Sequence, residues 1–454
     1  MTINPGRYLT NVTARQPMQK QEEYVLRTVE ERGIRFVRLW FTDILGFLKS
    51  FAITPAELQT ALEEGVRFDG SAIDGFSRNR EADMLARPDP TTFQILPWHD
   101  DTSGVARMFC DIVTPEGEPF SGDPRAVLKR NLQRAHDLGF SFYVGPEVEY
   151  FYFKDTSAEP QTLDRGGYFD LTPLDVAQEY RRHTITVLER LGIPIGSSHH
   201  EVSPSQHELD LRHTDALSMA DNLMTTRLAV KEVAMEHDIY ATFMPKPLEG
   251  HDGSGLHLHL SLFQNDDNAF YEEGADYAMS KTARGFVAGL LHHGREITAV
   301  TNQWVNSYKR LVTGFDAPVY EKWGRNDQSA VVRIPPTKAD KSRSVRIEYR
   351  APDPACNPYL AFSVILAAGL AGIENNYELP DEGPNGEGAA SPSGVHRLPS
   401  TLSEALDVME RSDLVAAALG PHVFEWFLRN KRIEWERYEH HVSRYELENY
   451  LPVL

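Results

Sequence analysis

Residues 256–262 read Leu-His-Leu-His-Leu-Ser-Leu. Strict alternation is the period of an extended strand, so His257, His259 and Ser261 take one face and four leucines the other. The leucine face needs a core to pack on, and the opposite face presents chemistry. The pattern recurs at 145–151, Gly-Pro-Glu-Val-Glu-Tyr-Phe, where Glu147 and Glu149 share a face against Val148 and Tyr150. It recurs again at 346–350, Arg-Ile-Glu-Tyr-Arg, where Arg346, Glu348 and Arg350 oppose Ile347 and Tyr349.

A merely wetted strand face mixes Thr, Lys, Ser and Gln, whereas these faces carry carboxylate, imidazole and guanidinium at alternate positions. A fourth segment, 199–211, reads His-His-Glu-Val-Ser-Pro-Ser-Gln-His-Glu-Leu-Asp-Leu and adds Glu201 and Glu208 around a turn at Pro204. Glu147, Glu149, Glu201, Glu208 and Glu348 with His257 make a mixed oxygen and nitrogen donor set. That set suits Mg²⁺ or Mn²⁺. Zinc fits poorly, because Cys110 and Cys356 are the only thiols in the chain. The neighbouring arginines add the means to hold phosphate.

A chain of 454 residues exceeds one ordinary core, which predicts two unequal domains. With 46 basic and 66 acidic residues the net charge is −20, which repels nucleic acid and anionic membrane surfaces and excludes them as partners. Any anionic substrate must then be met by local arginines. The two cysteines read as reduced packing thiols. The first residues lack an apolar signal core, and the longest apolar stretch, 361–373, is short and broken by Ser363 and Gly369. The expectation is a cytoplasmic protein.

Residues 1–18 read as a loose polar lead-in. A first domain over 19–114 begins with an amphipathic helix carrying Tyr24, Val25 and Val29, followed by strands at 36–41 and 51–53 joined as a hairpin. The Pro- and Gly-rich stretch 115–124 marks the boundary to a second domain, 115–454, in which the motif strands alternate with helices expected at 172–191, 218–236 and 282–301. Residues 381–393 have the composition of a surface loop. The chain ends Tyr-Leu-Pro-Val-Leu, an apolar terminus that calls for a place to dock between subunits.

Taken in order, Phe68-Asp-Gly-Ser-Ala-Ile, Gly145-Pro-Glu-Val-Glu, His199-His-Glu, Gln206-His-Glu, Gly253-Ser-Gly-Leu-His-Leu-His, Asn306-Ser-Tyr-Lys-Arg-Leu-Val, Arg333-Ile-Pro, Arg346-Ile-Glu-Tyr-Arg and Asn357-Pro-Tyr-Leu resemble the glutamine synthetase family, type I in particular. The resemblance implies an α+β fold, with a small N-terminal β-grasp-like domain followed by a large catalytic domain built on a curved antiparallel sheet with surrounding helices. It implies ATP-dependent ligation of glutamate to ammonia or another amine through a γ-glutamyl phosphate, two or more Mg²⁺ or Mn²⁺ per site, and a homododecamer of two hexameric rings with sites between subunits. Carried over by position, Glu149, Glu201 and Glu208 would hold one metal, and Glu147, His257 and Glu348 the other. Arg310 and Arg350 would meet the glutamate carboxylate or the transferred phosphate. Arg333 and Arg346 would face nucleotide phosphates, with His259 and Ser261 also on the nucleotide side. Gly253 would let backbone approach glutamate. Asp69, from a neighbouring subunit, and Asp316, on a flap, would join Arg310 and Arg333 in catalysis.

Three departures from the family pattern bear on the amine. Ala72 stands where Ser is usual, Asp316 where the flap carries Glu, and Gln328 where Arg is usual, with Arg325 nearby as a substitute. A site built for ammonium loses roughly 1.5–3 kcal/mol with each charged hydrogen bond, so the pattern favours a γ-glutamylamide synthetase for an organic primary amine. Ordinary glutamine synthesis is the alternative, and a catalytically degenerate regulatory paralogue a second. Asn376-Tyr-Glu-Leu-Pro looks like the loop that some bacterial members adenylylate, but it follows its helix too closely, and 387–395 holds no tyrosine. No such modification is expected.

Overall fold

A computed structural model describes residues 12–73, 75, 83–98, 104–325, 327, 329–336, 342–383 and 396–454. The chain divides into two compact units, Met1–Ala126 with Thr186–Ile193, and Val127–Ile185 with Pro194–Leu454.

In the first unit, alternation of apolar residues produces strands β1 (Phe36–Thr42), β2 (Leu48–Ile53), β3 (Val66–Asp69), β4 (Asp83–Pro88), β5 (Gln94–Ile95) and β6 (Val105–Val113). They form a six-stranded sheet in the order β2-β1-β6-β4-β3, with β5 also on β6. The expected hairpin is β1 and β2, paired antiparallel from Val37↔Ile53 to Thr42↔Leu48, while β1 and β6 run parallel. Helices Val12–Glu31 and Pro55–Glu64 close the core through Val25, Val29, Leu58, Ala61 and Leu62 against Val37, Leu39, Met108, Cys110 and Ile112. The first helix starts ahead of its apolar repeat, and Tyr24 lies outside the core, since Val25 and Val29 define the buried face.

The second unit is built on a ten-stranded sheet. Its strands are β7 (Ser141–Phe153), β8 (Ile195–His200), β9 (Gln206–Leu211), β10 (Thr214–Asp215), β11 (Tyr240–Thr242), β12 (Leu256–Gln264), β13 (Asp267–Asn268), β14 (Tyr320–Gly324), β15 (Ala330–Arg333) and β16 (Ile347–Tyr349). The order is β14-β15-β16-β12-β7-β9-β8, with β10 and β11 on β7 and β13 on β12. All pairs are antiparallel except β14 with β15. The four leucines of β12 are fully buried, and Phe286 of helix Lys281–His292 packs on Phe142 of β7 from the same side. Behind it lies helix Pro358–Glu374, the apolar stretch seen in the sequence, buried along nearly its whole length. At Gly372 a Cβ would come within 2.0 Å of Gly285 O, so only glycine lets these two helices touch. Both cysteines are buried and unpaired.

The helices expected at 172–191 and 282–301 are shorter or divided. The first is Gln178–Arg190, because Pro173 falls in the approach and Asp175 caps the backbone at Ala177. The second is Lys281–His292 followed by Gly294–Thr301, where the Glu321 side chain lies against Gly294. The third, Ala216–Glu236, forms with Asp215 as its N-cap. No helix among the described residues is long and apolar enough to cross a membrane. At the C-terminus Leu451, Val453 and Leu454 are 75%, 74% and 99% exposed.

Candidate active site

The register of the second sheet turns local alternation into a constellation. Glu147 of β7 lies opposite His257 on one side and Asp210 on the other, and Glu149 lies opposite Glu208. Glu348 faces His259 and Arg333, and Glu208 faces His199. One polar row therefore crosses β15, β16, β12, β7, β9 and β8 on the face away from the leucines. It lines a cavity of 840 Å³ that also takes in Tyr168, Phe169, Asp316, Asp327 and Arg350.

Two groups of metal-ligand type converge in it. Glu147, His257 and Glu348 bring their donor atoms within 4.8 Å of one another, as do His199, Glu201 and Glu208. Glu149 stands beside both. Its Oε2 accepts from Gln206 Nε2 and Gly255 N, each at 2.9 Å, and its Oε1 lies 3.9 Å from His257 Nε2. His199, 2.6 Å from Glu201 and 3.6 Å from Glu208, is thus a member of the second group that strand alternation alone did not single out.

The carboxylates divide by their neighbours. Burial raises Glu208, and facing Glu149 and Glu147 carries it up to about 12. Burial and the charge of Glu201 likewise push Glu149 well above the usual carboxylate range. Glu147 and Glu348 are also desolvated, but the histidines at Glu147, and His257 with Arg350 at Glu348, outweigh burial and hold both below the ordinary value. The row crowds carboxylates so closely that Glu149 and Glu208 are kept from ionising alongside their neighbours. His257 Nε2 is in addition buried with no hydrogen-bond partner. Hard oxygen donors, crowded carboxylates and an orphaned imidazole nitrogen fit divalent cations.

The arginines separate into three roles. Arg350 donates to Glu348 at 3.0 Å and to Asp316 at 2.8 Å, and Arg333 donates to Glu348 at 2.6 Å. Arg346 Nε lies 3.1 Å from His259 Nδ1, whose Nε2 reaches Glu147 at 2.6 Å. Because Arg346 only donates, His259 carries its proton on Nε2 and hands it toward Glu147. Arg346, His259 and Ser261 line a second cavity of 290 Å³ with Arg212 and Arg343, next to the first through Glu147 and Asp210. Arg333 lines the first cavity rather than the second. Arg310 is 1% exposed and donates to the carbonyls of Arg350, Ala351 and Pro352, so it fixes the segment that carries Arg350.

Gly253 is required to be glycine by the packing around it. A Cβ there would sit 2.2 Å from Pro245 O, and its own carbonyl accepts from Gln206. Asp69 belongs to the first unit, where its carboxylate accepts from Ser71 N and Oγ. Arg325 places its guanidinium over the Tyr277 ring, 4.3 Å from its centre, and its backbone N–H on Glu382. The Ala72 side chain, Gln328 and residues 387–395 lie outside the described residues. Tyr377, in the loop that resembles an adenylylation site, packs on His292 and hydrogen-bonds His293 at 3.3 Å. Tyr168 and Phe169, absent from the sequence reading, pack edge-on against His199 at the cavity rim.

Residues 33–115 match the family described as "Glutamine synthetase, beta-Grasp domain" and 121–450 that described as "Glutamine synthetase, catalytic domain". The chain is 54% identical to a glutamine synthetase of Mycolicibacterium smegmatis over 446 residues, covering 96% of this chain and 100% of that protein. It is 53% identical to one of Mycobacterium tuberculosis over the same shares. Among solved structures it is similar to a "GmaS/ADP complex", with a TM-score of 0.85 and 31% identity, covering 94% of this chain and 99% of that one.

Proposed function

This chain belongs to the glutamine synthetase family of ATP-dependent ligases, and from that premise we propose that it forms a γ-glutamyl amide from glutamate and an organic primary amine. The observation that carries the amine reading is Asp316. It is shorter by one methylene than the Glu usual on the flap, and its carboxylate already faces Arg350 at 2.8 Å. That charge is paired within the protein rather than left for a small cation.

When bound, divalent cations supply the positive charge that neutralises phosphate and stabilises the transferring group. Glu147, His257 and Glu348 would hold one, and Glu149, Glu201 and Glu208 with His199 the other. Arg346, His259 and Ser261 orient the nucleotide from the smaller cavity. A carboxylate does not acylate an amine directly, since oxide is a poor leaving group. An oxygen of the glutamate γ-carboxylate therefore attacks the γ-phosphorus of ATP, the bond to ADP breaks, and γ-glutamyl phosphate forms. Arg333 and Arg350 hold the new phosphate against the acyl carbon. The amine then gives a proton to a carboxylate, the C–N bond forms, and phosphate leaves with the C–O electrons. Asp69 from an adjacent subunit is the proposed proton acceptor, and Asp316 covers the site. We extend the proposal to a dodecamer, which the exposed Leu451, Val453 and Leu454 support as docking residues.

The second reading is glutamine synthesis from ammonia, favoured by the names of relatives more than half identical. ADP release measured with glutamate, ATP and a panel of alkylamines, ethanolamine, polyamines, aromatic amines and ammonium decides between them. Higher kcat/KM for an organic amine supports the proposal. Preference for ammonium by a wide margin defeats it, and absence of ADP release with every amine and with ammonium would mark a degenerate paralogue.

A further inference from the structure

A third group of ligand-type side chains, Asp164, His200 and His207, lies fully buried near the cleft. Its hydrogen bonds argue against a cation. Arg181 Nη1 approaches His207 Nδ1 at 2.9 Å and can only donate, so Nδ1 accepts and the proton stays on Nε2. A neutral imidazole with that tautomer offers no lone pair to a metal. His200 Nδ1 faces the Glu201 carbonyl at 2.7 Å and must donate to it, while its Nε2 faces Asp164 Oδ1 at 3.2 Å.

Asp164 is the point at which three pieces of the cleft meet. Oδ1 takes Ser205 N at 2.8 Å, Gly166 N at 3.3 Å and His200 Nε2. Ser205 sits at φ 60, a conformation that costs a non-glycine residue, and its Oγ accepts from Leu163 N at 2.7 Å and Asp164 N at 3.2 Å. This fixes the turn between β8 and β9. On one side of that turn is Glu201; on the other is Gln206, which donates to Glu149. Past Gly166 the same carboxylate starts the segment carrying Tyr168 and Phe169, and Phe169 N returns to His200 O. A Cβ at Gly166 would lie 2.7 Å from His200 Nε2, so the segment is seated tightly on the imidazole.

We propose that Asp164, acting through His200 and Ser205, is a positioning residue that sets the Glu201–Glu208 cation centre and the aromatic rim in one register. It touches neither substrate nor cation. The proposal rests on the metal reading above and deepens it, because it assigns the buried pair to one of two centres and leaves the other, at Glu147, His257 and Glu348, independent. Groups that orient metal ligands are worth roughly 10–100-fold in affinity.

The test titrates Mn²⁺ into metal-free full-length protein and follows free Mn²⁺ by electron paramagnetic resonance. Glu208→Gln and Glu348→Gln identify which binding class belongs to which centre. Asp164→Asn should weaken by about 10–100-fold the class weakened in Glu208→Gln and leave the other unchanged. Ser205→Ala, which removes only the hydroxyl, should weaken the same class more mildly, and it carries the test if Asp164→Asn fails to fold. An Asp164→Asn isotherm that overlays wild type, or one that weakens the Glu348 class or both classes equally, overturns the assignment. If wild type itself binds fewer than two Mn²⁺ per chain, the metal reading falls first and takes this proposal with it.

Discussion

Glu149 and Glu208 stand directly opposite each other on neighbouring antiparallel strands, 8% and 7% exposed. Like charges at such a position repel across a few ångströms, and burial strengthens the repulsion. The chain tolerates this only with a proton or a cation between them. A proton on Glu208 removes the repulsion, and on the metal reading proposed above a divalent cation would take its place.

This pair makes stability depend on pH in a defined sense. Burial and the facing carboxylates raise Glu208 to about 12 from an ordinary 4.5, so the folded chain keeps a proton that the unfolded chain releases. Its stabilising contribution is full below about pH 4.5 and is lost as pH rises toward the folded value. Cation-free wild type should therefore lose melting temperature relative to Glu208→Gln between about pH 6 and pH 9, by about 2–4 °C or more. Saturating Mn²⁺ should reverse the order. Parallel melting curves for the two proteins with and without Mn²⁺ would refute the shared-cation account.

The histidines of β12 should separate in function although they are two residues apart. His257 has an orphaned buried nitrogen in the larger cavity, whereas His259 is tied between Arg346 and Glu147 at the smaller one. His257→Ala should lower Mn²⁺ affinity and cut turnover by about 10²–10⁴-fold, the several kcal/mol that a lost phosphate-bridging cation represents. His259→Asn should raise KM for ATP by about tenfold with a smaller effect on kcat. Steady-state kinetics at varied Mg²⁺ and ATP read both, and full activity of His257→Ala in excess chelator would remove cations from the mechanism.

Assembly supplies a third expectation. If Asp69 serves a neighbouring subunit, Asp69→Asn protein mixed with a cleft mutant such as Glu348→Gln should regain part of its activity, because some mixed sites receive both wild-type residues. Sedimentation should show a large oligomer in wild type. Deleting residues 450–454 should lower its mass. A monomeric wild type with full activity would exclude shared sites.

Why some of this was legible in the sequence and some was not follows from the range of each signal. Period-two alternation is local, so the faces of Glu147, Glu149, His257 and Glu348 could be read residue by residue. His199 joins Glu208 only through the β8–β9 register, a hydrogen-bonded relation that periodicity does not encode. Arg310 stands in a motif of charged residues, yet its guanidinium is taken up by three backbone carbonyls that lie forty residues onward. Tyr168 and Phe169 occupy an irregular segment seated by Asp164 and His200, with no repeat to announce them. The break at Gly294 is likewise tertiary, set by Glu321 of β14.

The amine preference should respond to the positions that depart from the family pattern. Asp316 is held by Arg350 on one side and by its own backbone N–H to Asp252 on the other, so a longer acid there must reach further into the cavity. Restoring both usual residues, Ala72→Ser with Asp316→Glu, adds a hydroxyl and a methylene, which on the proposed reading would crowd an organic substituent. The double variant should use ammonium better and the best organic amine worse, shifting the ratio of their kcat/KM by about 10–200-fold, the range a methylene-sized change commands. If both positions face one small volume, the double change will exceed or fall short of the sum of the single changes by more than about 0.5 kcal/mol. A ratio unmoved by either substitution would place amine selection elsewhere, with the Tyr168–Phe169 rim next in line.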